Sequence, residues 1–173
     1  MAAMGATCYM VNVNEEVEKR RKSGMPLASA LEMTTVWSPR SEGNGYGLIR
    51  DIVVNDIVIQ YSCKNSKRRF VIGIANSVPY ESQRPPSAEG RHPEDGVAID
   101  VQLIRVIHVD NDIQTRIMGC AEVRGIPNGM SYNGASPFCV KTSSTGKVYI
   151  SVTFNGYIWR LSGELLEVVI GVI

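Results

Sequence analysis

Histidine, paired cysteine and long apolar runs are all scarce in this sequence of 173 residues. The two histidines, His92 and His108, have no second ligand type at a spacing suited to a metal ion. The four cysteines include no Cys-x-x-Cys pair, which argues against a zinc ribbon and a thioredoxin-like redox site. We therefore expect no metal site and no cofactor, and we interpret the cysteines as reduced, buried apolar side chains.

Signals for membrane insertion and export are also lacking. No window approaches the ~18 to 20 consecutive apolar residues of a membrane-spanning helix. The first residues do not combine a basic region with a following apolar stretch, as a signal peptide does. These absences predict a cytoplasmic protein without a membrane partner.

The charge is nearly balanced, with 18 basic and 17 acidic residues and a formal net charge of +1. This excludes a strongly basic arm but is compatible with a local basic patch. With 44% apolar and 20% charged residues, the composition predicts one folded domain over residues 1–173. A chain of this length could hold a small enzyme or one binding module, but not a binding module together with a motor and a nuclease. The chain ends on the apolar run 168–173 without a cap, which indicates a fragment of a longer protein.

Motifs for catalysis are not found. There is no Gly-x-Ser-x-Gly elbow and no Gly-x4-Gly-Lys-Ser/Thr phosphate loop. The glycine-rich run Gly43–Gly47 lacks the spacing of a nucleotide-binding fingerprint. The run Asp110–Asp112 lacks the other oxygen ligands of a calcium loop, so we interpret it as a polar turn between strands. The sequence thus predicts a protein that is not itself an enzyme.

Alternating apolar residues predict several strands. Val97, Ile99, Val101 and Leu103 would share one face of a half-buried strand. The same pattern or a compact apolar run occurs in three further segments: Ile52–Ile59 with a turn at Asn55-Asp56, Phe70–Ala75, and Val148–Phe154. Asn155-Gly156 is a strong hairpin signal between the last of these segments and an extended run at 157–161.

Helices are expected to be few. A polar surface helix is predicted at 14–24, and a helix at 164–170 with Ser162 as its N-cap. Two segments rich in turn-forming residues, Val78–Gly96 and Gly119–Pro137, are predicted to be irregular loops. Several strands with few helices predict an α+β fold built on a small mixed barrel.

The few aromatic residues, 7% of the chain, lie next to turns. Trp37 precedes a glycine-rich segment, Trp159 follows the predicted hairpin turn, and Tyr46 and Tyr80 lie in predicted loops. Aromatic side chains in such places can form a cage around a flat ligand by stacking and cation–π contacts. The alternative is that both tryptophans are core anchors.

A basic cluster occupies a predicted hairpin tip. Lys64, Lys67, Arg68 and Arg69 place four positive charges in six residues. Arginines also occur in or near the other predicted loops: Arg40, Arg50, Arg84 and Arg91. Phosphate contacts need only local positive charge, so these residues could bind a nucleic-acid backbone. A solvated charge run is the alternative.

Several short motifs follow one another in an order that resembles a known family. They are Val36-Trp-Ser-Pro-Arg40, Ile52–Tyr61, Ile72–Ser77, Arg84-Pro85, Asp95-Gly-Val97, Ser136-Pro-Phe138 and Asn155–Leu161. This order is similar to that of the EVE-like members of the PUA/YTH superfamily, especially those at the N-termini of modification-dependent restriction endonucleases. In that family a Gly-Asp pair stands where this chain has Asn55-Asp56.

The resemblance implies a curved, PUA/EVE-like mixed β-barrel flanked by short helices. It also implies a non-catalytic reader that flips a modified base of DNA, such as methylated cytosine, into an aromatic pocket. Its partner would be a nuclease or a McrB-type GTPase domain in the same chain or system. An RNA reader of the YTH or PUA kind and a small protein-interaction module are the alternatives.

Site residues follow by position in the resembling motifs. Trp37 would form a cage wall, Ser38 would contact the base edge, and Tyr157 or Trp159 would form another wall. Ser136 would lie close to the pocket, and Tyr80 is a further loop candidate. Backbone phosphates would be held by the basic residues: Arg40, Lys64, Lys67, Arg68, Arg69 and Arg84.

Overall fold

The computed structural model describes residues 5–12, 33–40, 43–64, 66–84, 95–126, 134, 136–153 and 156–173. The described part contains nine strands: β1 (Cys8–Asn12), β2 (Met33–Pro39), β3 (Ile57–Lys64), β4 (Lys67–Ala75), β5 (Tyr80–Gln83), β6 (Asp95–His108), β7 (Phe138–Thr142), β8 (Val148–Val152) and β9 (Ile158–Arg160). It also contains a 3-10 segment, Gly43–Asp51, and three helices: α1 (Asn111–Gly119), α2 (Ala121–Arg124) and α3 (Gly163–Val172).

Seven strands form one curled, half-barrel sheet in the order β2-β6-β4-β3-β1-β9, with β5 also paired to β6. The pair β1–β3 is parallel and the other pairs of this sheet are antiparallel. β7 and β8 form a separate two-stranded sheet. The predicted mixed α+β class with a curved sheet and short helices is confirmed at this level.

The large sheet is buried on both faces, which explains why β4 reads as a continuous apolar run. Phe70 and Ile72 pack into a helix-side core with residues of all three helices, such as Leu165 of α3. Val71 and Ala75, which alternate with them, pack into a second core on the opposite face. The strand predicted from Phe70–Ala75 is therefore confirmed.

β6 confirms the clearest alternation in the sequence. Its apolar residues Val97, Ile99, Val101 and Leu103 are all buried in the second core. The strand runs on to His108, well past the predicted segment. Because β6 is long, it pairs with β2 and β5 in its first half and with β4 in its second half.

The hairpin predicted at Asn155-Gly156 does not join neighbouring strands. β8 pairs with β7, whereas β9 pairs with β1 in the other sheet. The turn signal is local, but the partner of each strand is set by long-range burial, which overrode it. β8 itself confirms the alternation at 148–152, while Phe154 and Asn155 lie outside the described residues.

The predicted strand from Ile52 is also wrong in its first half. A 3-10 segment ends at Asp51, a turn follows, and β3 begins at Ile57. Asp56 stabilises this turn, because its buried carboxylate accepts hydrogen bonds from the amides of Thr7 and Val53, each at 2.9 Å. Ile52 has no exposed surface and belongs to the second core, so its apolar character reflects packing rather than a strand.

Two segments predicted as loops or turns contain regular structure. The run Asp110–Asp112 begins helix α1 instead of joining two strands, and the Asp110 side chain caps that helix by accepting from the Ile113 amide at 2.9 Å. α2 lies within the predicted loop Gly119–Pro137. The predicted loop Val78–Gly96 contains β5 and the start of β6, and its residues 85–94 lie outside the described residues.

The C-terminal helix is confirmed with a different cap. Ser162 has the extended backbone of an N-cap, but its side chain makes no capping hydrogen bond. The helix predicted at 14–24 and Arg91 lie outside the described residues. Among the described helices, none has the length and apolar character needed to cross a bilayer.

All four cysteines are free thiols. Cys8, Cys120 and Cys139 are buried, as predicted, but Cys63 on β3 is exposed. Burial, together with the nearby Asp56 carboxylate, raises the pKa of Cys8 to about 12. Cys8 therefore stays a neutral core thiol at neutral pH.

Candidate functional site

Trp37 and Ser38 are neighbours on β2 and therefore point to opposite faces of the sheet. The Trp37 ring lies against Gly96 of β6, where any Cβ would overlap the indole, and its Nε1 donates to the Ser82 carbonyl at 3.3 Å. The Ser38 hydroxyl is fully buried and donates to the Tyr46 carbonyl at 3.1 Å. Glycine at position 96 is thus required for the placement of Trp37.

Tyr157 joins this group from the other end of the chain. Its hydroxyl donates to the Trp37 carbonyl at 2.6 Å, and its ring lies 5.3 Å from that of Tyr46. Burial raises the pKa of Tyr157 well above its usual range, so the phenol remains a donor at neutral pH. Trp37, Ser38, Tyr46 and Tyr157 are called the Trp37 cluster below.

The Trp37 cluster is closed rather than an open cage. Trp37 is only 8% exposed, and the Ser38 and Tyr157 hydroxyls already have protein partners. A base that stacked on Trp37 would require the ring or its cover to move. The sequence analysis names Tyr46 only as a loop aromatic that could form a cage, and it does not predict the contact of Tyr46 with Tyr157.

Tyr80 lies beside the cluster and is the most accessible of the predicted base contacts. It begins β5 rather than lying in a loop, and both Tyr80 and Trp37 are in register with Ala98 of β6. They therefore flank Ala98 on one face, about 10 Å apart across two strand spacings. Tyr80 is 40% exposed, and its hydroxyl donates to Asp100 at 2.7 Å, which raises the Tyr80 pKa.

Trp159 lies on β9 and Ser136 lies just before β7, whereas Trp37 and Ser38 lie on β2. Trp159 is in register with Met10 on β1 and only 1% exposed, and Gly156 packs so closely that a Cβ would overlap its ring. Ser136 is buried, with its hydroxyl 3.0 Å from both the amide and the carbonyl of Phe138.

The predicted backbone contacts fall into two groups at opposite ends of β6. Arg40 follows β2 and Arg84 follows β5, and both strands end beside Asp95 and Gly96. Arg40 forms an exposed ion pair with Glu81. These two arginines therefore lie at the same end of the sheet as Trp37.

The other four basic residues lie at the far end. Lys64 and Lys67 face each other at the tip of the β3–β4 hairpin, as predicted, and Arg68 and Arg69 follow on β4. Arg69 is in register with His108, the last residue of β6. His108 is ten residues beyond Ala98, which corresponds to about 33 Å along the strand. These residues therefore follow β6 to the end that lies away from Trp37.

A group of potential metal ligands lies elsewhere, between α2 and α3. Ligand atoms of Cys120, Glu122 and Glu164 lie within 4.8 Å of one another. Each carboxylate, however, caps the other helix: Glu122 accepts from the amides of Glu164 and Leu165, at 3.0 and 3.3 Å, and Glu164 accepts from the Ala121 amide at 2.8 Å. The arrangement is explained by reciprocal helix capping.

Removing one cap should measurably weaken the fold. We expect Glu122→Ala to lower the free energy of unfolding by about 1–2 kcal/mol, because two amides at the start of α3 lose their acceptor. Urea denaturation of the variant measures this loss. Glu167→Ala, on the exposed side of the same helix, is the control and should stay within about 0.5 kcal/mol of the wild type. Equal stability of the two variants would contradict the capping role.

Comparison with known proteins adds no family assignment. A scan of the sequence against protein-family models and a search of the curated proteins both found no match. The EVE-like resemblance therefore stays a prediction from its motifs. The fold adds one independent observation, that Trp37 and Tyr157 are in contact although 120 positions apart in the chain.

Proposed function

We propose that this chain is a non-catalytic reader of modified bases in DNA, with methylated cytosine or a related base as its ligand. The observation that carries the proposal is that the Tyr157 hydroxyl donates to the backbone carbonyl of Trp37, 120 positions away in the chain and next to the buried Ser38. These are the residues that the EVE-like resemblance implies for the base pocket. Tyr80, on the same face as Trp37, adds an accessible aromatic ring.

The energetics of base flipping are compatible with such a site. Extruding a base costs a few kcal/mol, and stacking on an aromatic side chain recovers about 1–3 kcal/mol per base. A methyl group adds only about 0.8 kcal/mol of apolar burial, so discrimination depends on a tightly shaped pocket. Because Trp37 is closely packed, base binding at this site would require its ring or its cover to move.

Arg40 and Arg84 would contact phosphates beside such a base, because they lie at the same end of the sheet as Trp37. Arg40 would exchange its ion pair with Glu81 for a phosphate, at little cost because exposed pairs contribute little. We propose that the reader serves as the specificity domain of a modification-dependent restriction system in the cytoplasm. A nuclease or GTPase domain, in the same chain or a separate one, would be its partner.

Binding to matched ligands tests the proposal. We expect fluorescence anisotropy at low salt to show tighter binding of duplexes with 5-methylcytosine or 5-hydroxymethylcytosine than of the unmodified duplex. Tyr80→Ala should weaken the binding of the modified duplex by about 5- to 150-fold, which corresponds to the 1–3 kcal/mol of one stacked base. Tyr80→Phe, which keeps the ring, should retain it, and Val78→Ala is an exposed neighbouring control.

The opposite outcomes are equally definite. Equal affinity for modified and plain duplexes would exclude a modified-base reader, and tighter binding of matched RNA would replace the DNA ligand by RNA. No binding of any nucleic acid at low salt would exclude the reader class and leave the protein-interaction module. Circular dichroism of each variant tests whether the fold persists.

A further inference from the structure

A basic groove lies at the end of the sheet opposite the Trp37 cluster. It is a cavity of about 310 Å³ between the β3–β4 turn, the start of α1 and the β7–β8 turn. Its lining includes Lys67, Arg68, His108, Asp110, Gln114 and Lys147. The groove therefore combines the predicted basic hairpin with a histidine and a lysine that sequence analysis did not connect to it.

The charge of this groove is positive and not neutralised within the described part of the chain. Lys67, Arg68 and Lys147 form no ion pair with any described residue. One carboxylate, Asp110, lies among them and is already the acceptor that caps α1. Three cations against one carboxylate leave a net charge of +2, even with His108 neutral.

Arg68 is held in place within the groove. Its guanidinium donates to the carbonyls of Ser66 and Ile150, each at 3.3 Å, and lies 5.5 Å from the centre of the Tyr149 ring. Carbonyls and a ring fix the group without cancelling its charge. An anion that binds here would thus meet one preorganised cation and two exposed lysines, Lys67 and Lys147.

The ligand class follows from charge and size. A groove with a net charge of +2 is complementary to a phosphate monoester, which carries up to two negative charges, or to successive phosphodiesters of a nucleic-acid strand, which carry one each. Its volume is at the small end of ligand pockets, which span about 300–1,000 Å³. We propose that this groove binds a phosphate group, either from a nucleic-acid backbone or from a small phosphorylated molecule.

The phosphate site does not depend on the proposed reader function. Along β6 it is about 33 Å from Ala98, which lies between Trp37 and Tyr80. A phosphate bound here therefore need not belong to a modified nucleotide. If the protein does not discriminate between modified and plain bases, the phosphate site is unaffected. If the groove does not bind phosphate, the proposed reader function is likewise unaffected.

Two probes without any modified base test the groove. In the first experiment, sodium phosphate is titrated into the protein and amide chemical shifts are measured in ¹H–¹⁵N spectra, with sodium chloride of equal ionic strength as the reference. In the second, fluorescence anisotropy measures the binding of an unmodified, single-stranded dT12. We expect phosphate-specific shifts at Lys67, His108 and Lys147. In the double variant Lys67→Ala/Lys147→Ala, the affinity for the preferred probe should fall at least about tenfold.

The controls make the outcome decisive. Lys141→Ala removes a lysine from the same β7–β8 hairpin but outside the groove, and it should bind as the wild type does. Tighter binding of dT12 would identify a nucleic-acid strand as the ligand, and the slope of log affinity against log salt concentration should then become shallower by about 0.7 for each lost phosphate contact. Tighter binding of inorganic phosphate would identify a small phosphorylated ligand. The same affinity in wild type and double variant, or no groove-specific shift with either probe, would overturn the proposal.

Discussion

Trp159→Ala is expected to lower the free energy of unfolding by about 3–5 kcal/mol, the usual cost of removing a large buried aromatic side chain. The side chain is 1% exposed, its ring packs against Gly156, and the residue is in register with Met10 of β1. Deleting it would leave a cavity that the closely packed Gly156 segment cannot fill by a small shift. Urea denaturation followed by circular dichroism measures the change.

Trp159→Phe provides the matched variant, because it keeps an aromatic ring and should lose markedly less stability. A loss below about 1 kcal/mol for Trp159→Ala would show that the side chain is not a core anchor. The expected loss also bears on the site. Weaker DNA binding by Trp159→Ala could result from unfolding alone, so the stability of the variant has to be measured together with its binding.

Gly73→Ala is expected to destabilise the protein by about 3 kcal/mol, at the upper end of the cost of overpacking. Gly73 lies in β4 where the register with β6 shifts, and a Cβ there would lie 2.8 Å from the carbonyl oxygen of Gln102 and overlap the side chain of Val101. A backbone oxygen cannot rotate away, so the two strands would have to separate. Thermal or urea denaturation detects the loss.

The control for this substitution is Gly119→Ala. Gly119 is the last residue of α1, and a Cβ there would have no neighbour within 4 Å. Because alanine also restricts the unfolded chain more than glycine does, this variant should be unchanged or up to about 1 kcal/mol more stable. Equal destabilisation of both variants would mean that the close approach of β4 and β6 is not the cause.

Local patterns predicted those elements whose burial follows a simple period. β6 was recognised because Val97, Ile99, Val101 and Leu103 all face one core. The β3–β4 hairpin was recognised from the basic tip at Lys64 and Lys67. In both cases the signal lies within one continuous stretch of sequence, so no knowledge of distant partners is needed.

Elements that depend on distant partners were missed or misplaced. β1 was not predicted, since Cys8–Asn12 is short and becomes a strand by parallel pairing with β3 some 49 positions later. β8 and β9 were predicted as a hairpin, yet their partners are β7 and β1. Strand pairing of this kind depends on side-chain burial across the whole sheet, and a local turn signal such as Asn155-Gly156 does not specify it.

In the candidate site, too, the sequence identifies individual residues, and the fold determines which of them are neighbours. The sequence places Trp37 and Tyr157 next to turns, and only the fold brings the Tyr157 hydroxyl to the Trp37 carbonyl. The sequence also finds the charges of Lys67 and Arg68, but not their separation from Trp37. That separation depends on the register of β6 with β2 and β4, which no local pattern contains.

The length of β6 has a consequence for the size of any ligand that contacts both ends of the sheet. The separation of up to about 33 Å is close to one turn of B-form duplex, or about ten base pairs. An oligonucleotide of a few residues would occupy one end at a time. Once a strand is long enough to reach both, the second contact becomes intramolecular, and affinity rises through effective concentration without any new contact chemistry.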